Sequence, residues 1–311
     1  EGRPDEGWYW AGLALLDRHF RHQHVESWLS TENESVDWRG LVEGASGSSR
    51  FGEHVDAFHG VFEDPDSLGP VPSDLLDVLA HIALSSPAVT ALRALMRLFQ
   101  PQRDDDWPAF LQSAARIGMG FRSLFNQPEA ISLLQGLYPE GPYWKKALHY
   151  SLDGNLQAVL DEYFHVLRDL LGLMDQGPGA SATKMGERVE AALSIRAPTL
   201  RFDEISVESG KSLRVDDRGL RCRYALRFGD DRSWDDETRM RDVEVRIAFN
   251  SPFRPFVLAT TSIGQGGLDF HQYCHRVVHW NLPSNPVDLE QREGRVHCYK
   301  GHVIRRNLAR N

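Results

Sequence analysis

The spacing of apolar residues divides the chain into two regions. From Trp8 to about Leu173 these residues recur at intervals of three and four, the period of an amphipathic α-helix. Helix starts are clearest at three positions. Ser73 can cap a helix, Pro87 suits a first turn, and Asn155 ends a turn that precedes a helix. We therefore predict an all-helical domain over residues 1–174.

A different pattern begins after a short segment without periodicity. Asp175–Thr183 is rich in Gly, Pro and other small residues, so we predict a linker over residues 175–195. Beyond it, strand-like runs at Thr199–Val207, Leu220–Phe228, Phe256–Thr261 and Arg276–Leu282 accompany helix-like segments at Arg239–Phe249 and Pro286–Tyr299. This alternation favours a parallel sheet over residues 196–311. The predicted fold class is thus α+α/β.

Charge and cysteine content restrict which ligands, cross-links and metal sites the protein can have. The formal net charge is −9, but residues 1–200 carry 16 basic and 28 acidic side chains, whereas residues 201–311 carry 19 and 16. A polyanion should therefore prefer the C-terminal third. The three cysteines are widely separated and form no C-x-x-C pair, which argues against a disulfide framework and a cysteine zinc site. We expect a cytoplasmic protein, with no membrane-spanning segment.

One candidate site is a strand that runs into a glycine-containing loop. Phe256–Asp269 reads FVLATTSIGQGGLD, and the loop at the end of such a strand lets the backbone approach a ligand closely. Asp269 could then accept hydrogen bonds from ribose hydroxyls. The alternative is a tight turn with a capping aspartate.

A second candidate site follows on a predicted helix. Pro286 suits the first turn, and Gln291, Arg295 and Cys298 then fall at i, i+4 and i+7 on one face. A glutamine and a guanidinium side by side can offer several donors to the phosphates of a nucleotide.

Together, the two blocks resemble motifs V and VI of superfamily 2 helicases and translocases. TTSIGQGGLD, residues 260–269, matches the Thr-then-Gly-x-Asp pattern, and QREGR, residues 291–295, matches Gln-Arg-x-Gly-Arg. The joining segment, residues 277–286, is similar to that of the Snf2-like branch. The resemblance covers about residues 196–311 and implies the RecA-like C-terminal lobe of such an enzyme.

The resemblance also implies roles for individual residues. Thr261 and Ser262 would contact the nucleic-acid backbone, with DNA favoured over RNA. Arg295 would be an arginine finger that reaches the γ-phosphate of ATP. The implied nucleotide-binding residues are Gly267, Asp269, Gln291 and Arg292, although Arg292 also suits an ion pair within the lobe.

Two departures from the motifs bear on activity. Gly266 stands where the family often has Glu or Arg, and Cys298 stands where a second arginine is expected. A thiol is a weak donor without a fixed positive charge. We therefore expect slow turnover in the intact enzyme, and a Cys298→Arg variant should accelerate it.

The lobe that would hold ATP and Mg²⁺ is missing from this sequence. No G-x-x-x-x-G-K-[ST] run occurs, because Ile205 stands at the first glycine position ahead of Gly210-Lys-Ser212, and no Asp-Glu-x-His or Asp-Glu-Ala-Asp box occurs. We expect an N-terminal RecA-like lobe as partner, and neither ATP hydrolysis nor cofactor binding by this chain alone. We also predict no metal site.

Two other functions stay open at this point. The lobe could be a degenerate scaffold or binding module without ATPase activity, as Gly266 and Cys298 would permit. A dinucleotide-binding enzyme would use Gly264-x-Gly-Gly, but the third glycine of that fingerprint is not evident. The basic cluster Arg305–Arg310 either follows a phosphate backbone or forms a solvated helix face.

Overall fold

The structure, a computed structural model, describes residues 7–19, 60–61, 64–195, 199–208, 212–221, 225–228, 236–253, 255–260 and 270–310. The chain forms two compact units, Glu1–Glu187 and Arg188–Asn311. The helices that begin in the first unit are α1 (Gly7–His19), α2 (Leu75–Ser85), α3 (Pro87–Phe99), α4 (Trp107–Phe125), α5 (Pro128–Leu137), α6 (Tyr143–Asp153), α7 (Leu156–Leu170) and α8 (Pro178–Ser194). Apart from short 3-10 turns, the described part of this unit is helical, which confirms the predicted helical N-terminal region.

Helices α3, α4 and α7 form the centre of the helical unit. Helix α3 packs against both α4 and α7, while α2 packs against α1 and α6. Leu95 of α3, Phe110 of α4 and Phe164 of α7 are fully buried. The apolar faces that the sequence places at intervals of three and four therefore meet in one core.

Prolines and a left-handed asparagine set where several of these helices begin. Pro87 and Pro128 occupy the first turns of α3 and α5, where a missing N–H costs nothing. Asn155 precedes α7 with φ of 52°, a conformation that asparagine tolerates better than most residues. The helix starts after Ser73, at Pro87 and after Asn155 are as predicted.

Polar contacts join elements that are distant in sequence. The Tyr9 hydroxyl donates to the Asp74 carboxylate at 2.5 Å, and Lys145 Nζ donates to the other Asp74 oxygen at 2.6 Å. Lys145 Nζ also lies 4.3 Å from the centroid of the Tyr9 ring. The hydrogen bond from Lys145 holds the pKa of Asp74 below its usual value. This cluster attaches α1 to the start of α2 and to α6.

The segment predicted as a linker is helical instead. Residues 175–195 contain α8, and Ala182, Met185 and Val189 on it are fully buried. The Gly179 N–H donates to the Asp106 carboxylate at 3.1 Å, which satisfies one of the unpaired donors at the helix start. The small residues that suggested a linker instead allow close packing, since a Cβ at Gly186 would lie 2.8 Å from Cβ of Ser113.

Two pairs of strands are present among the described residues of the second unit. Strands β1 (Thr199–Glu208) and β2 (Ser212–Arg221) pair antiparallel, whereas β3 (Ala225–Phe228) and β4 (Val257–Thr260) pair parallel. Helix α9 (Asp236–Phe249) lies between β3 and β4 in sequence. A parallel pair with an intervening helix is the connection expected of an α/β unit.

Three predictions for this unit need correction. The run Leu220–Phe228 is divided between two sheets, because its start belongs to β2, which pairs with β1, and its end belongs to β3, which pairs with β4. Arg276–Leu282 is irregular, and Trp280 within it is 94% exposed. Residues with high strand propensity form a strand only where a neighbouring strand and a packing surface are present.

The third correction is the predicted helix Pro286–Tyr299, which ends after its first nine residues, while a separate short helix begins beyond it. Helix α10 spans Pro286–Gly294, and α11 spans His302–Leu308. Gly294 lies at the break, as expected of the residue with one of the lowest helix propensities.

Among the described residues, no single helix combines the length and apolar composition needed to cross a membrane. Helices α2 and α3 pass that test only when they are joined, and they are bent by 42° relative to each other.

Candidate functional site

Helix α10 carries most of the second predicted motif. Its first turn is fixed by Asn285, whose side-chain oxygen accepts from the Val287 N–H at 3.0 Å, and by Pro286. The helix ends at Gly294, and Arg295 follows with φ of −67° and ψ of −24°, still in the helical region. Gln291 and Arg295 therefore keep nearly helical spacing at the end of α10.

The three polar side chains of this motif have different surroundings. Gln291 is exposed to solvent. Arg292 Nη1 donates to the Asn281 carbonyl at 3.0 Å and so joins α10 to the segment before it. Arg292 thus makes a contact within the lobe, although the partner of this bond is a carbonyl and not a carboxylate.

Arg295 is half-buried and incompletely paired. Its Nη2 is shielded from solvent and has no hydrogen-bond partner. Burial, and next the charge of Arg292, lower the pKa of the Arg295 guanidinium, but arginine stays protonated at neutral pH. A buried donor without an acceptor costs about 1–3 kcal/mol, so an anion at this position would recover that energy.

Cys298 does not share the helix face of Gln291 and Arg295. It lies beyond the end of α10, and its Sγ donates to the Gly294 carbonyl at 3.4 Å. The predicted i+7 position on one continuous helix is therefore wrong, because the helix stops four residues earlier. The thiol instead satisfies a carbonyl at the helix end.

The residues after this helix are attached to the turn Phe270–Tyr273. The Arg305 guanidinium donates to the carbonyls of Gln272 at 2.7 Å and Lys300 at 2.8 Å. The same group lies 5.1 Å from the centroid of the Tyr273 ring. Backbone bonding reinforces the attachment, since the His302 N–H donates to the His271 carbonyl at 2.8 Å.

Comparison with known proteins identifies this region. Residues 238–300 match a family model described as the helicase conserved C-terminal domain. Residues 238–300 thus resemble the C-terminal domain of helicases, and we call the unit that contains them, Arg188–Asn311, the helicase domain. No curated protein and no solved structure matches the chain.

A small apolar core lies within the helicase domain. Val245 and Ala248 of α9 are buried with Ile195 and Phe270, and the Phe249 ring meets the Phe270 ring edge to face at 5.7 Å. Phe270 is the residue that follows motif V in the sequence. The core thus holds α9 against Phe270.

The residues predicted from motif V lie outside the described residues. Thr261, Ser262, Gly267 and Asp269 all fall within residues 261–269, as do Gly264 and Gly266. Their contacts with nucleotide or nucleic acid remain predictions. Among the described residues, no group of three or more His, Cys, Asp or Glu side chains is arranged to hold a metal ion.

Sequence reasoning missed two residues of the helicase domain. Gln272 is 4% exposed, and its Oε1 has no hydrogen-bond partner. Arg305 was grouped with the surface cations of its cluster, yet its guanidinium is bound to two carbonyls. No sequence pattern marks either residue, because both act through backbone geometry that forms only in the folded lobe.

Proposed function

We propose that residues 196–311 form the RecA-like, parallel α/β C-terminal lobe of an ATP-dependent nucleic-acid helicase or translocase. The parallel β3–α9–β4 connection supports the fold. The family match over residues 238–300 supports the class of enzyme. ATP would bind between this lobe and a partner RecA-like lobe that supplies the Walker-type phosphate loop and the carboxylates for Mg²⁺.

Arg295 is the observation that carries this proposal. Its buried Nη2 has no acceptor among the described residues, so the guanidinium keeps a donor that an anion can use. Closure of the two lobes would bring the γ-phosphate to this guanidinium, which would stabilise charge on the transferring phosphoryl group. Hydrolysis would then let the lobes separate and advance along the strand.

Motif V would contact the nucleic-acid strand along which the enzyme moves. Thr261 and Ser262 would bind the phosphate backbone, while Gly267 and Asp269 would lie near the ribose of the nucleotide. The resemblance of residues 277–286 to the Snf2-like branch favours DNA as the track.

The test is single-turnover ATP hydrolysis by the intact enzyme, with this lobe joined to its partner lobe. Removing an arginine finger lowers the rate by roughly 10³–10⁵, so Arg295→Ala should lose about that much while ATP affinity changes far less. Arg295→Lys should recover little, because an ammonium lacks the planar fork. Arg122→Ala, an exposed arginine of the helical unit, is the matched control. An Arg295→Ala enzyme within tenfold of the wild type would refute the assignment.

A degenerate lobe without ATPase activity is the second candidate, and Cys298 favours it. The thiol bonds the Gly294 carbonyl at a helix end, and the chain turns away from α10 there. An arginine at position 298 would therefore not stand one turn beyond Arg295. ATP turnover by the intact enzyme separates the two candidates, since hydrolysis above background that Arg295→Ala removes excludes a lobe without ATPase activity.

A further inference from the structure

The last residues of the sequence include several cations and no acidic side chain. No Asp or Glu follows Glu293, whereas Arg295, Lys300, Arg305, Arg306 and Arg310 do. Arg305 donates to backbone carbonyls, so its guanidinium stabilises the fold of this segment. Arg306 and Arg310 are exposed, and neither side chain forms an ion pair or hydrogen bond with the rest of the described chain.

These cations lie on one face of the last helix. His302, Arg306 and Arg310 are spaced four residues apart, and the Arg310 N–H donates to the Asn307 carbonyl, which continues the turn beyond α11. Residues at this spacing share one side of a helix. At the first end of the row, the His275 and His302 rings lie 5.1 Å apart at 32°. The face thus combines a pair of tilted histidine rings with two arginines.

An exposed aromatic ring lies directly before this helix. Tyr299 is 82% exposed, and Lys300 Nζ lies 5.4 Å from its ring centroid. Large apolar rings are costly to leave in water, and a ring beside a cation is the arrangement on which unpaired bases stack. The bond from Arg305 to the Lys300 carbonyl fixes the backbone of this turn relative to α11.

We propose that Tyr299, Lys300, His275 and the His302–Arg306–Arg310 face bind a single strand of nucleic acid. A base would stack on Tyr299, and Arg306 and Arg310 would contact successive parts of the phosphate backbone. The ring distinguishes this occupant from duplex DNA, whose bases are already stacked, and from an acidic peptide, which has no base to stack. None of these residues belongs to motif V, and the proposal rests on the proposed function in taking nucleic acid as the ligand.

The experiment measures the affinity of the full chain for a fluorescent thymidine oligonucleotide by anisotropy, at several salt concentrations and without nucleotide. Tyr299→Ala should weaken binding on the order of tenfold, because stacking of one base is lost. Tyr299→Phe should bind like the wild type, since it keeps the ring. The double variant Arg306→Gln, Arg310→Gln should reduce the slope of log affinity against log salt by about 1.4, at roughly 0.7 for each phosphate contact.

Arg103→Gln with Arg122→Gln, two exposed arginines of the helical unit, is the charge-matched control and should leave the slope near that of the wild type. Unchanged melting temperatures would show that each variant is folded. The proposal is overturned if the wild type does not bind the oligonucleotide, if Tyr299→Ala binds normally, or if a duplex of the same sequence binds as tightly and is weakened equally by Tyr299→Ala.

The results that would refute this surface differ from those that would refute the proposed function. Binding without nucleotide does not require Arg295, so normal ATP hydrolysis by Arg295→Ala together with weakened binding by Tyr299→Ala would leave this surface standing alone. Lost ATP hydrolysis in Arg295→Ala together with normal oligonucleotide binding by Tyr299→Ala would refute the surface and support the arginine finger.

Discussion

The helical unit and the helicase domain differ in how much apolar surface they bury. In the helical unit, the large aromatic side chains of Tyr163, Phe110 and Phe164 are fully buried. In the described part of the helicase domain, Val278 and Trp280 are 87% and 94% exposed. The helical unit is therefore stabilised by its own core. In the described part of the helicase domain, by contrast, exposed apolar side chains are available for other contacts.

Removing a central side chain of the helical unit should have the largest effect on stability. Phe164→Ala leaves a cavity at a fully buried site and should cost about 3–5 kcal/mol of unfolding free energy. Urea denaturation followed by circular dichroism measures this loss. Leu133→Ala, at a residue that is 52% exposed, is the control and should change stability by less than about 0.5 kcal/mol. Equal losses for the two variants would contradict the packed core.

The matching change in the helicase domain should cost less. Phe270→Ala removes the ring that packs on Phe249, and we expect roughly 3 kcal/mol, the low end for Phe→Ala, because the cluster around it is small. Hydrogen exchange should report the loss of protection in α9, with α3 and α7 unchanged. Val278→Ala is the exposed control. A loss of protection spread evenly over both units would show that they unfold together.

The cap of α10 should contribute a smaller amount. Asn285→Ala removes the acceptor of the Val287 N–H and should destabilise the helicase domain by about 1 kcal/mol. Asn285→Asp should retain most of the stability, since aspartate caps as well. Amide exchange at the first turn of α10 is the measurement, with the exposed Asn126→Ala as control. Normal protection in Asn285→Ala would mean that Pro286 alone sets the helix start.

The smallest effect concerns a surface hydrogen bond of the helical unit. The Tyr138 hydroxyl donates to the Asp153 carboxylate at 2.6 Å, and this bond raises the pKa of Tyr138 to about 12. Because the folded pKa lies above the ordinary value of 10.0, the contribution is complete below pH 10 and is lost as the pH rises through about 12. Melting temperatures should show a small deficit for Tyr138→Phe that disappears over this range. A deficit that persists at the alkaline end would exclude the bond as its cause.

Helices with a periodic apolar face were predictable from the sequence. In α7, Leu156, Leu160, Phe164 and Leu167 are all buried, at intervals of three and four. Pro87 marked the start of α3 because its conformation suits a first turn. Asn285 caps the predicted helix start at Pro286 for the same local reason. Such signals depend on the chain near each residue.

Features that depend on distant partners were not predictable in this way. A run of small residues is typical of a linker, but in α8 it allows Gly186 to pack against Ser113, a residue more than seventy positions away. Gly294 ends α10 early and moves Cys298 off the expected face. The bonds from Arg305 to the Gln272 and Lys300 carbonyls require a folded turn, which no motif encodes.

The cluster of Tyr9, Asp74 and Lys145 has a consequence for the order of events during synthesis. Its hydroxyl and ammonium partners are separated by 136 positions, so α1 cannot complete its contacts until α6 has left the ribosome. At translation rates of about 5–20 residues per second, that delay is on the order of ten seconds. During this interval α1 has only its packing against α2 and the bond from Tyr9 to Asp74, and the ammonium of Lys145 completes the cluster last.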